Sequence, residues 1–501
     1  LYTYTLLLLV AFNTAFADTS KQDAPVFKVA NVLQSNMVVQ QSKPFKIWGS
    51  AAAGDIKITA DWSKSSVIVK AAADGSWAGE ISVPKAKPGD FTPHTITIQN
   101  NDKVVKLSDV LIGDVWFCVG QSNMDMIVHE AKFIGYPGVL NYKQEIEEAN
   151  FPAIRVYKAA AEFKIKPQND TKGTWTICST KTAGNFSAVA YFFGRELFLH
   201  LNIPIGLVVS SAPGASTQAF TKREVLEADT ALKRVYLTPQ LSHISSQVKV
   251  DSTGFFSNVT KPTLLYNGII HPLLNLSIKG ITYYQGESNA RGEKRAPYLS
   301  LFNKMLTDWR TDFKQGDFPF YYTQIAPYAE NGEEADSYNA AMFRETQQQL
   351  LSIKNTGMAV TLDVGEQKTV HPSDKRAVGE RLAKNALYNT YNLRVVQYKG
   401  PTFDSYAVEG KNAIRISYKK STIGGELSTK DGKPPVGFFV AGKDKVFHPA
   451  EATIVGDEII LSNYNVSQPK AVRYAFTNWV GTNLQNTDAL PAMQFRTDNW
   501  E

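Results

Sequence analysis

The chain has 501 residues, of which 43% are hydrophobic and 11% aromatic, and a net charge of +6. That length is too great for one simple core and predicts two to four domains. Lys and Arg are scattered, in runs no longer than pairs such as Lys419-Lys420, so the positive charge reads as solubility and excludes a nucleic-acid footprint. Two cysteines, Cys118 and Cys178, make no disulfide framework.

In chain order, Leu1–Ala17 reads as a signal peptide. Its apolar run is too short to span a bilayer, and Ala15-Phe16-Ala17 is an A-x-A cleavage pattern. A basic n-region and an initiating Met are absent, so the expected leader is a truncated one. The expectation is an exported protein, periplasmic or extracellular, with no membrane contact after cleavage.

Residues 25–110 predict an all-β, sandwich-like domain. Short alternating runs such as Phe45–Trp48, Ile56–Thr59 and Val67–Val69 are split by turn signals, among them Asp74-Gly75. Trp48 and Trp77 suit either sugar stacking or burial, and burial is the favoured reading.

Residues 111–395 predict an α/β domain. Strand-like Val115–Val119, Ile205–Val209, Ile281–Tyr284, Phe320–Gln324 and Met358–Leu362 alternate with helical Ser187–Leu199, Ala341–Leu351 and Arg376–Leu387. Such alternation implies a parallel sheet flanked by helices, with a site at the C-terminal strand ends. Residues 218–261 are polar and weakly patterned, an expected insertion near the site mouth. Residues 396–501 predict a C-terminal β domain, through runs such as Ala413–Ser417 and Val436–Val440.

Four stretches of the α/β region carry chemistry. Val115–Val119 runs into Gly120-Gln-Ser-Asn-Met124, and an expected helical restart follows through Val128. A serine at a strand-to-helix turn is presented at the surface beside free backbone N–H groups. It also suits a plain N-cap. His371 lies in a Pro-containing loop between a strand and an amphipathic helix, a site-facing position for a general base. In Tyr283-Tyr-Gln-Gly-Glu-Ser-Asn289, Gln285 is a candidate oxyanion donor and Glu287 a candidate acceptor from histidine. In Val209–Ser216, Gly214 offers a backbone N–H at a strand end. The last two also suit ordinary polar turns.

Gly120-Gln-Ser-Asn-Met124, Gln285-Gly-Glu-Ser-Asn289 and His371-Pro372 together resemble the sialate O-acetylesterase family, a branch of the SGNH-type hydrolases. Phe186–Arg195, Pro204–Leu207, Val472–Ala475, Leu490–Asp498 and, in the β domain, Met37–Gln40 and Trp48-Gly49 extend the likeness over nearly the whole mature chain. The resemblance implies an SGNH-hydrolase-like parallel sheet with N-terminal and C-terminal all-β domains. It implies acyl transfer to water, with an acetylated sugar or glycan as partner and no cofactor or metal. Ser122 would be the nucleophile and His371 the base. Ser122 N–H, Gly214 N–H and the Gln285 side chain would form the oxyanion hole, with Gln121, Asn123 and Asn289 in support. Sialate 9-O-acetyl esters are the leading substrate and acetylated xylan the alternative, ahead of a non-catalytic sugar binder.

Two departures stand out. The family's aspartate two or three residues before the histidine is replaced by Lys368-Thr369. Glu287, Asp363 and Glu366 are the substitutes, Glu287 favoured because related acetylxylan esterases use it and Asp363 next. A Ser–His dyad oriented by a backbone carbonyl is a third arrangement. In the glycine loop, Pro213-Gly214-Ala215 stands where Gly-Gly-Thr is frequent, and Gln218 and Phe220 replace a frequent Glu and Trp.

Overall fold

The strand β1 (Lys103–Gly120) runs through two sheets and ends one residue before the first candidate motif turns. The structure is a computed structural model that describes residues 26–132, 135–243, 254–329 and 337–500; the expected signal peptide lies outside them. The first half of β1 pairs antiparallel with His94–Asn100 of the N-terminal β region. The second half is the centre of a seven-strand path. With β2 (Ile154–Ala159), β3 (Gly173–Ile177), β4 (Ile205–Ser211), β5 (Gly280–Tyr284), β6 (Phe320–Thr323) and β7 (Thr356–Ala359), the order is β3-β2-β4-β1-β5-β6-β7. The expected boundary at residues 110/111 falls inside β1.

The sheet is mixed, where alternation predicted a parallel one. β3 lies antiparallel to β2, and no helix stands between them. A parallel return needs a crossover, so a helix-free connection returns the chain antiparallel. The remaining neighbours in the path are parallel. β4, β5 and β6 are buried along their whole lengths, as strands covered on both faces must be. Trp116 and Cys118 face one core; Phe117 and Val119 face the other. That alternation is the period of two of an extended chain.

On the first face pack α2 (Ala188–Leu201) and α6 (Lys375–Asn389), capped by Ser187 and Asp374 side chains that accept from Ala190 N and Ala377 N. On the other face, α4 (Tyr298–Phe313) inserts Phe302 and Trp309 beside Tyr283 and Phe320. The C-terminal β region is tied on through α5 (Asn339–Gln349), whose buried Arg344 donates to Gln494 Oε1 at 2.8 Å and Ala475 O at 3.2 Å. Trp48 and Trp77 are core, 7% and 4% exposed. The two cysteines are free and buried. From the described part of the 218–261 stretch, Leu226, Leu232 and Tyr236 form a small core with Leu264 and with Leu301 of α4. Among the described residues, no helix is long and apolar enough to cross a membrane.

Helices α2 and α6 touch at Gly379, where a Cβ would lie 2.6 Å from Phe192 Cβ and 2.8 Å from Phe193 N. The backbone atom cannot swing aside as a side chain does. Gly379→Val is therefore expected to destabilise by about 1–3 kcal/mol or more, measured as a lower urea midpoint at unchanged m-value.

Candidate active site

Parallel register brings the motifs together. Gly120 at the end of β1 lies level with Ser211 of β4 and Tyr284 of β5. The segments that follow, with Ser122, Gly214 and Glu287, thus leave the sheet at one height. Gly120 is required there, since a Cβ would lie 2.2 Å from Tyr284 O. Ser122 opens the one-turn helix α1 (Ser122–Asp125). The predicted restart stops at once: Met126 is extended, and Ile127 bridges to Ser187.

Ser122, Gly214, Glu287 and His371 line one cavity of about 1260 Å³. Ser122 is 7% exposed. Neither its N–H nor that of Gly214 is donated to a side chain or loop carbonyl among the described residues. Gly214 has φ +80°, a left-handed conformation that glycine adopts without strain. His371 packs edge-on against Tyr136 at 5.2 Å between centroids, and its Nε2 is buried without a hydrogen-bond partner. Burial, and then the charge of Lys375, hold its pKa down at about 4. The ring is neutral at pH 7 and able to accept a proton.

The expected orienting acids are otherwise engaged. Among the described residues, no carboxylate hydrogen-bonds the His371 ring. Glu287 Oε1 accepts from Asn123 Nδ2 at 2.6 Å, and the same amide donates to Val370 O at 2.9 Å. Glu287 therefore reaches the histidine loop through Asn123. Burial pushes its carboxyl up, against the Asn123 hydrogen bond and the Lys375 charge. Asp363 is bidentate to Arg381, both bonds 2.7 Å. Glu366 Oε1 caps Ser373 N at 2.6 Å. At the departed positions, Lys368 is exposed and Thr369 Oγ1 accepts the His371 N–H at 3.0 Å.

Gln285 differs from the expected oxyanion donor. It is 1% exposed, and its Nε2 donates to Asn289 Oδ1 at 2.8 Å and Ala215 O at 3.1 Å. Thr217 Oγ1 donates to its oxygen. A turn buried this deeply must satisfy its polar groups internally, and Gln285 serves that need beneath the cavity. Asn289 completes the support by donating to Gln218 Oε1 and accepting from Thr217 N. Gln121 lines the cavity; with its NH₂ turned toward acceptors it donates to Ala215 O at 3.1 Å and Glu287 Oε2 at 3.2 Å.

The sequence reading missed several lining residues. Lys158 pairs with Asp125 at 3.4 Å, and Asp125 also accepts from Ser211 Oγ at 2.8 Å. Lys172 and Arg291 add positive charge to the wall. Phe256, on the short helix α3 (Phe255–Asn258), is 75% exposed and covers Gly214. No spacing marks these, because they come from separate strands and the insertion. Lys375 had one signal: it is a cation in the first turn of a helix, the unfavourable end of the dipole. Among the described residues, no group of three or more His, Cys, Asp or Glu side chains is arranged to hold a metal.

Residues 112–388, more than half of the chain, match the family described as carbohydrate esterase, sialic acid-specific acetylesterase. The chain belongs to this family. Among relatives of this acetylesterase, mouse sialate O-acetylesterase is 25% identical over 90% of each chain. The human sialate O-acetylesterase is 27% identical over 81% of this chain and 79% of its own. A carbohydrate acetylesterase from Xanthomonas citri superposes with a TM-score of 0.81 at 30% identity, covering 95% of this chain and 100% of that one.

Two outcomes are expected of this site. Asp363→Asn leaves the buried Arg381 guanidinium without its charge partner and should cost roughly 3–5 kcal/mol, seen as a lower Tm. The His371 ring resonances should titrate near pH 4 and not near 6.5, because burial disfavours the imidazolium; proton NMR against His371→Gln identifies them.

Proposed function

We propose that this acetylesterase removes O-acetyl groups from carbohydrates by a serine mechanism on an SGNH-type catalytic domain, with 9-O-acetylated sialate as its preferred substrate. The observation that carries the reading is the single cavity shared by Ser122, Gly214 and His371, with a buried, unpartnered Nε2. Ser122 Oγ attacks the acetyl carbonyl while His371 takes its proton. The tetrahedral oxyanion is received by the Ser122 and Gly214 N–H groups, each such donor contributing about 2.7–4 kcal/mol of barrier lowering in comparable sites. The imidazolium of His371 then gives its proton to the departing sugar oxygen, which leaves as the hydroxyl. Water, activated by the same imidazole, releases acetate and restores the serine.

Glu287 acts at one remove, through Asn123, so the proposed catalytic pair is a Ser–His dyad without a directly bonded acid. Lys158, paired with Asp125, Lys172, paired with Glu162, and Arg291 line the cavity and offer donors to the carboxylate of an anionic sugar. The sialate O-acetylesterase relatives support the same choice over xylan. Export is supported by the apolar run and cleavage pattern of Leu1–Ala17. A separate unit from 396 onward is supported by sheets whose strands all lie between Phe403 and Arg496, while the 110/111 boundary falls inside β1.

Acetate release from a chromogenic acetyl ester tests the chemistry. Ser122→Ala and His371→Ala should be inactive; wild type no faster than Ser122→Ala refutes the mechanism. Glu287→Gln should lose far less than the roughly 10⁴-fold expected when a directly bonded triad acid is neutralised. Acetylated sialic acid against acetylated xylooligosaccharide tests the substrate. Lys158→Ala should raise KM for the first and leave the second unchanged.

A further inference from the structure

We infer that Lys375 is a positioning residue for the histidine, joining the nucleophile turn to the histidine loop. It rests on the reading of Ser122 and His371 as nucleophile and base. Lys375 is 0% exposed. Its Nζ donates to Asn123 Oδ1 at 2.7 Å and to Pro372 O at 2.6 Å. Asn123 follows Ser122, and Pro372 follows His371. One ammonium thus fixes the neighbours of both reacting groups. Asn123 passes the link on to Glu287 and Val370 O.

The placement runs against local rules. A cation at the N-terminal turn of a fifteen-residue helix opposes its dipole, and burying the charge adds a desolvation cost. Met or Leu would fill the same volume without either penalty. Such a conflict with local rules is expected where function requires it.

The charged and titratable surroundings are specific. Glu287, Glu366 and Asp374 attract Lys375, and the Tyr284 ring lies 5.8 Å from its Nζ. Tyr136 packs on His371. Burial does most to keep His371 a free base, and Lys375 is the charged group that adds to it by opposing the imidazolium. Burial also lowers the pKa of Lys375 itself to about 7.

The test compares wild type, Lys375→Met, Lys375→Arg and Ser122→Ala on a chromogenic acetyl ester, each checked by its thermal transition. Lys375→Met should lose about 10²-fold in kcat with KM changed less than about threefold. The acid limb of its kcat/KM profile should move up by about one pH unit, because a like charge near the base is gone. Lys375→Arg keeps the charge and changes the reach, so kcat falls while the acid limb stays. Wild-type kcat and an unmoved limb in Lys375→Met overturn the inference. If that variant does not fold, wild-type kcat in Lys375→Arg does so. Wild-type activity in Ser122→Ala overturns the underlying reading instead.

Discussion

The site depends on a buried ion pair that does not touch. Lys375 and Glu287 are of opposite charge, and the Asn123 amide stands between them, its oxygen on the ammonium and its nitrogen on the carboxylate. An isolated charge in such surroundings would neutralise itself. Spanned by a polar amide, each charge is compensated, and the amide is pinned at both ends. Three loops, after β1, after β5 and before α6, are thereby held in one relation. Charges set apart in this way leave the His371 ring nitrogen free, where a directly paired carboxylate would occupy a ring nitrogen of its own.

Beneath that bridge lies a second, neutral network. Gln285, Asn289, Thr217 and Gln218 satisfy one another and the backbone of the glycine loop. Buried polar networks rigidify a site when every member has a partner. Here the network fixes the turn that carries Gly214, while Phe256 and Val259 close over that glycine from the insertion. The donors offered to the cavity are therefore backbone groups, whose positions the sheet register dictates.

Sequence periodicity sufficed for the central strands and flanking helices of the sheet, and the motif resemblance singled out the Ser122 and His371 stretches. Val115–Val119, Ile205–Val209 and Ile281–Tyr284 all lie in strands, and Ser122, Gly214, Glu287 and His371 meet in one cavity. Three things escaped it. The reversal of β3 depends on a connection whose length and lack of a helix carry no periodic signal. The inward turn of Gln285 depends on which backbone groups burial leaves unpaired, which a linear motif does not reveal. The role of Asn123 depends on partners at Glu287, Val370 and Lys375, all more than 160 positions away, since hydrogen bonds form in space.

The run of β1 through two sheets has a consequence for how such a protein evolves. A module that ends before a linker can be lost, duplicated or exchanged as a cassette. Here the strand that completes the N-terminal sheet is the same one that delivers Ser122. Cutting at residue 110 would separate Val38–Gln40 from the Leu111–Gly113 segment it pairs with. The β region and the Ser122 turn thus share one continuous strand, so neither can be exchanged without rebuilding the other's sheet.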